Sequence, residues 1–130
     1  MMISFLLSVR QSIRIVLNII YVGLIAALSL LPPQDLPKIQ LFEGADKVIH
    51  FLMYFGFSLL FCWSVKTEFK YSRLWLIIPA TIGWGIFMEI MQFDMHIGRS
   101  FDLYDILANC VGTFAGIILY VLLTLKFRSS

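Results

Sequence analysis

The sequence predicts an all-α fold, a four-helix transmembrane bundle, on three observations. Of its 130 residues 60% are hydrophobic and 14% charged, against about 45–50% and about 25% in soluble domains. The mean hydropathy is +0.89, and a small soluble fold leaves too much surface in water to hide that much apolar area. Four apolar segments stand out, at about 13–31, 48–65, 74–93 and 106–125. Each is near the roughly 20 residues that cross a bilayer core as a helix.

Strands are excluded by segment length and by the lack of strict alternation. A helix pairs its own backbone groups, as lipid requires. The first segment follows Arg10 and Arg14 and carries a passable signal-cleavage sequence at Ala27-Leu28-Ser29. Its apolar run is long for a signal, so it is expected to be a retained helix. Pro32 and Pro33 stop it, because proline cannot continue the backbone ladder. Asp46 stands where an N-cap of the second helix belongs. Ser100 or Asp102 is placed to cap the fourth, with Asp105 where a capping-box acid would follow. Trp75 and Tyr71, near helix ends, suit interfacial anchors. The chain reads as a single domain, with no repeat and no linker composition.

Lys and Arg in the short loops set orientation. Arg10, Arg14, Lys66, Lys70, Arg73, Lys126 and Arg128 make seven on one side; Lys38, Lys47 and Arg99 make three on the other. Both termini are therefore expected in the cytoplasm, with the loops 32–47 and 94–104 facing outward. Net charge is only +2 with no basic run, which excludes nucleic acid as a partner. Cys62 and Cys110 fall at different depths and are expected to be free thiols, since a disulfide needs Cα atoms within about 7 Å.

The polar residues gather at the outward end. Asp46, Lys47, His50 and Tyr54 open the second helix; Asp46, His50 and Tyr54, four apart, share one face. Glu89 and Gln92 share a face near the end of the third. Arg99, Ser100, Asp102, Asp105 and Asn109 span the last loop and the start of the fourth. His50, Glu89 and Asn109 each lie about 6 Å in from a helix end. Ionisable groups at membrane depth face protein or water rather than lipid, so the three faces are expected to converge on one outward-open pocket. Gly85, Gly112 and Gly116 would let the backbones approach.

Each candidate carries two readings. Glu89 needs a partner at this depth, supplied by Arg99, Lys47 or His50, and is the strongest candidate for a functional role over a structural ion pair. His50 suits a general base or metal ligand, or a tie between helices. Arg99 suits a clamp on phosphate or carboxylate, or neutralisation of nearby acids. Asn109 suits an interhelical hydrogen bond. Asp46, Glu89, Asp102 and Asp105 outnumber Lys47 and Arg99 by four to two. Such a cluster would attract a divalent cation, a cationic ligand group or protons on His50 and Glu89, and mixed carboxylate and histidine donors do not name a metal.

The ordered set Ser29-Leu30-Leu31-Pro32, Asp46-Lys47-Val48-Ile49-His50-Phe51 with Tyr54, Glu89-Ile90-Met91-Gln92, Arg99-Ser100-Phe101-Asp102, Asp105-Ile106-Leu107-Ala108-Asn109, Gly112 and Gly116 resembles the VanZ-like family of bacterial membrane proteins. That resemblance implies a multi-pass protein of the bacterial cytoplasmic membrane in a cell-envelope setting, and a link to tolerance of the glycopeptide teicoplanin. It supplies no reaction. Two functions compete. One is a binding or protective protein that engages a membrane lipid, or a lipid-linked or amphiphilic ligand, at the outer leaflet. The other is a small membrane-embedded enzyme acting on a lipid head group, with Glu89 or His50 as acid/base. No Gly-x-Ser-x-Gly, His-Glu-x-x-His or phosphate-binding glycine loop supports the enzyme. A proton path or transporter is disfavoured, because the cytoplasmic halves of the helices carry almost no ionisable groups.

Overall fold

The computed structural model describes residues 2–35, 42–65, 71–96 and 98–129. Helix α1 covers Met2–Ser8, α2 Gln11–Leu30, α3 Ala45–Ser64, α4 Leu74–Asp94 and α5 Leu103–Ser129. No strand occurs among the described residues. Helices α2, α3, α4 (with the 3-10 turn before it) and α5 are each long and apolar enough to cross a membrane. The four expected segments are all present, with starts up to three residues earlier and α5 running on to Ser129. Lys38, Lys66 and Lys70 lie outside the described residues.

Burial follows the logic of lipid rather than water. Leu, Ile and Phe side chains cover the outside, among them Ile19, Ile20, Leu76, Ile118 and Leu122. The interior holds Ser29, Ser58, Thr81, Glu89, Gln92, Asn109 and Thr113. Lipid tails are as apolar as leucine, so burying leucine gains little there. Close packing and interior hydrogen bonds join the helices instead.

Helix α5 packs most extensively on α3, and α2 packs on the other side of α3. The α3–α5 contact depends on glycine. A Cβ on Gly112 would meet the Phe51 carbonyl group, with its carbon and Phe55 N both at 3.1 Å; one on Gly116 would meet Phe55 O at 2.6 Å. Gly85 of α4 faces Asn109 Nδ2 and the Tyr54 ring, which a Cβ there would meet at 3.1 and 3.2 Å. Gly56 of α3, not singled out by the sequence, makes room for Tyr21, whose hydroxyl donates to Met53 O at 3.0 Å.

Arg14 corrects the sequence reading. Counted as a loop charge, it lies in the first turn of α2 and is fully buried. Its guanidinium donates to Val9 O (3.0 Å), Trp63 O (3.1 Å) and Leu7 O, and sits 5.2 Å from the Trp63 ring centroid. It thereby ties α1 and the end of α3 to α2. Trp63 Nε1 adds a bond to Leu6 O at 2.9 Å. Tyr71 is not only an anchor: its hydroxyl lies 3.3 Å from Thr124 Oγ1. These contacts gather the start of α2, the end of α3, the start of α4 and the end of α5 at one end of the bundle. The polar residues of the next section occupy the other.

Candidate functional site

Three local structures build the polar end. Helix α2 stops at Leu30, and Leu31 adopts an extended conformation (ψ 137°), as a residue before proline must. Gly44 (φ +84°) precedes α3 in the left-handed region, which glycine enters without steric cost. The expected cap by Asp46 is therefore displaced: Asp46 lies within the first turn and no side chain caps α3. At α5, Asp102 is the cap, its Oδ1 accepting from Tyr104 N at 2.8 Å. Asp105 does not return to Asp102 as a capping-box acid would; it is drawn to Lys47 instead.

Lys47 is the hub of the outer layer. Its ammonium donates to Asp46 (2.8 Å), Asp102 (2.5 Å) and Asp105. The hydrogen bond from Lys47 holds the Asp102 carboxyl below the usual carboxylate range. One turn deeper, His50 Nδ1 lies 3.1 Å from Asn109 Oδ1, and His50 Nε2 lies 3.6 Å from the second oxygen of Asp105. Glu89, 1% exposed, accepts a hydrogen bond from Asp102 N at 3.3 Å. That backbone amide takes the place of the cationic partner expected from Arg99, Lys47 or His50. One donor atom each from His50, Glu89 and Asp105 lies within 4.8 Å of the others.

A cavity of about 340 Å³ opens over this layer, lined by Asp46, His50, Gln92, Gly98, Arg99, Ser100, Asp102 and Asp105. Of the other sequence candidates, Lys47 stands beside it, while Tyr54, Glu89 and Asn109 do not line it and are buried beneath. Gln92 is also structural, donating to Ser29 O at 2.7 Å and so anchoring the end of α4 to α2. Arg99 is half-buried in the wall and makes no hydrogen bond or ion pair among the described residues. Neither Cys62 nor Cys110 is in a disulfide. The large apolar groove at the opposite end is lined by Leu6, Leu7, Leu59, Leu60, Trp63, Tyr120, Leu123 and Thr124, with no titratable acid, base or thiol apart from tyrosine.

Sequence reasoning missed two features of this end. The Lys47 hub joins residues 55 and 58 positions apart, a pairing no spacing rule signals. The Glu89–Asp102 amide bond is equally non-local.

No solved structure matches the chain. A curated relative is 31% identical over 77 residues, 59% of this chain: the uncharacterized protein C11E3.10 of Schizosaccharomyces pombe. The chain spans 47% of that relative's length. Residues 2–124 match the VanZ/LLP1 family. With four helices able to span a membrane and a family match over nearly its whole length, the chain is a multi-pass membrane protein belonging to the VanZ/LLP1 family.

Proposed function

We propose that this protein binds the phosphate-bearing head group of a membrane amphiphile in the cavity at the polar end, while the apolar tail stays in surrounding lipid. The observation that carries this reading is Arg99, a guanidinium in the cavity wall with no ion-pair partner among the described residues. Its planar fork matches phosphate geometry. Phe101 and Leu103, two and four residues beyond Arg99, and Phe93 at the end of α4 are 46, 61 and 59% exposed, apolar surface suited to a lipid tail. The charge bias of the loops puts this end outside the cytoplasm and both termini inside. In a bacterial cytoplasmic membrane the amphiphile would be an outer-leaflet phospholipid or a lipid-linked wall precursor, and binding the latter would connect the cavity to antibiotic tolerance. The fungal relative favours a head group common to bacterial and fungal membranes.

The test uses delipidated protein in mild detergent, titrated with phosphatidic acid and with neutral diacylglycerol. The phosphate lipid is expected to bind at least tenfold more tightly, the size of one charge-assisted hydrogen bond of about 1.5–3 kcal/mol, and Arg99→Gln to erase the difference. Equal binding of both lipids by the unmodified protein contradicts the reading. One observation favours a second reading, an enzyme acting on the head group: His50 and Glu89 sit together just below the cavity, as an acid/base pair would. Turnover of a phospholipid that Glu89→Gln abolishes would establish it.

A further inference from the structure

The geometry points to a divalent transition-metal site formed by His50 Nε2, Glu89 and Asp105 at the floor of the cavity, with Tyr54 and Asn109 supporting it from below. Asn109 Oδ1 can only accept, so at 3.1 Å it assigns the proton of neutral His50 to Nδ1. The lone pair of Nε2 then points toward Asp105 Oδ2 at 3.6 Å. A lone pair facing a carboxylate repels it unless a proton or a metal cation lies between. Two ligands of an ion held at about 2.0–2.1 Å are themselves about 3.4 Å apart in tetrahedral geometry, so His50 and Asp105 already stand at nearly that separation. The third donor, on Glu89, lies within 4.8 Å of both and needs only a side-chain adjustment.

The second observation is the Tyr54 hydroxyl. Tyr54 is 1% exposed and its hydroxyl oxygen has no hydrogen-bond partner among the described residues. Helical side chains lean toward their helix N-terminus, which for α3 is the cavity end. Tyr54 is one turn below His50, and its ring meets Gly85, itself one turn before Glu89. A buried hydroxyl left unpaired costs about 1–3 kcal/mol; a water on the ion or a metal-bound carboxylate would give it a partner. Asn109 acts as the outer support that fixes a ligating imidazole.

Lys47 discriminates between the two carboxylate clusters here. Asp46, Asp102 and Asp105 also converge, but the Lys47 ammonium already bonds all three, so that cluster holds its cation. In the His50–Glu89–Asp105 group Lys47 reaches only Asp105, through Oδ1, and no lysine or arginine bonds Asp105 Oδ2 or Glu89 among the described residues. One imidazole with two carboxylates favours Mn²⁺, Fe²⁺ or Zn²⁺ over Mg²⁺ and Ca²⁺, which prefer all-oxygen shells. This inference deepens the head-group reading, since an ion on the cavity floor and Arg99 in its wall would together offset the acids and hold a phosphate. Its test, however, needs no lipid.

Full-length protein in detergent, stripped with chelator and dialysed, is titrated with Mn²⁺ or Zn²⁺ alone. Saturation at one ion per chain is expected, undiminished by a large excess of Mg²⁺. His50→Ala, Glu89→Gln and Asp105→Asn should each weaken it at least tenfold, while His96→Gln, at an exposed histidine outside the cavity lining, leaves it unchanged. Tyr54→Phe breaks no protein hydrogen bond, so it carries the test even where a ligand variant misfolds; it should weaken the ion severalfold. In unmodified protein Co²⁺ should show a visible absorption band that is lost with the same order of affinity. Absence of saturable binding, or binding unchanged by Glu89→Gln, overturns the site. A preference for phosphatidic acid without any saturable ion binding overturns the metal and leaves the head-group reading standing; an ion bound with no lipid preference does the reverse.

Discussion

Substituting Gly112 by alanine probes the contact on which the polar end depends. The new Cβ would press into the Phe51 carbonyl group and lie 3.1 Å from Phe55 N. Both are backbone of α3, so no flexible side chain can yield, and α3 and α5 must separate by several tenths of an ångström. Overpacking of this kind costs about 1–3 kcal/mol, offset by about 0.5–1 kcal/mol because alanine favours the helix over glycine. The net expectation is a loss of about 0–2.5 kcal/mol, centred near 1 kcal/mol. Gly83→Ala is the matched control: a Cβ there meets nothing within 4 Å, so only the propensity gain of up to about 1 kcal/mol remains. Unfolding in mixed micelles of mild detergent and SDS measures both. The separation should also lengthen the His50–Asn109 bond and weaken ligand binding at the cavity. If Gly112→Ala proves as harmless as Gly83→Ala, the close α3–α5 approach is wrong and the geometry built on it fails.

Other expectations follow from individual side chains. Arg14→Gln removes donors from the carbonyls of Leu7, Val9 and Trp63; hydrogen exchange should rise in residues 2–9, and unchanged exchange there would refute the tie to α1. The Lys47 hydrogen bond depresses the Asp102 carboxyl in the folded state, so its stabilisation is complete above the unfolded value of about 3.9 and is lost as pH falls through the lower folded value. Thermal unfolding below about pH 4 should show this loss, and Asp102→Asn should flatten that acid limb; an identical limb in the variant contradicts it. Tyr54→Phe should stabilise the ligand-free protein by about 1–3 kcal/mol, because it removes a buried hydroxyl with no hydrogen-bond partner among the described residues. A loss of stability would mean that the hydroxyl is bonded.

Much of this architecture was legible in the sequence. Apolar length alone gives the four spanning helices, since a bilayer sets a fixed requirement that composition either meets or fails. Helical periodicity put His50 and Asn109 at one depth, and they are joined at 3.1 Å. Asp102 was one of two readable caps because cap chemistry is local. What escaped was non-local or context-dependent. Arg14 reads as a loop charge until the carbonyls of α1 and α3 are brought to it. Asp46 reads as a cap until Gly44 takes that place in a left-handed conformation. Asp105 reads as part of a capping box until Lys47 arrives from another helix. Gln92 faces the cavity but also bonds Ser29 O, a second role that spacing within α4 cannot reveal. Helix α1, at seven residues, is too short to show a periodic signal.

The central claim is that α3, α4 and α5 bring His50, Asn109, Asp105 and Glu89 into one polar layer. The most direct measurement is ¹⁵N NMR of histidine-labelled protein in chelator at alkaline pH, with His96→Gln used to assign the His50 ring. A protonated Nδ1 hydrogen-bonded to a carbonyl and an unprotonated Nε2 are expected, with the first lost in Asn109→Leu and the second shifted in Glu89→Gln. A ring protonated at Nε2, or one indifferent to both substitutions, would contradict the account.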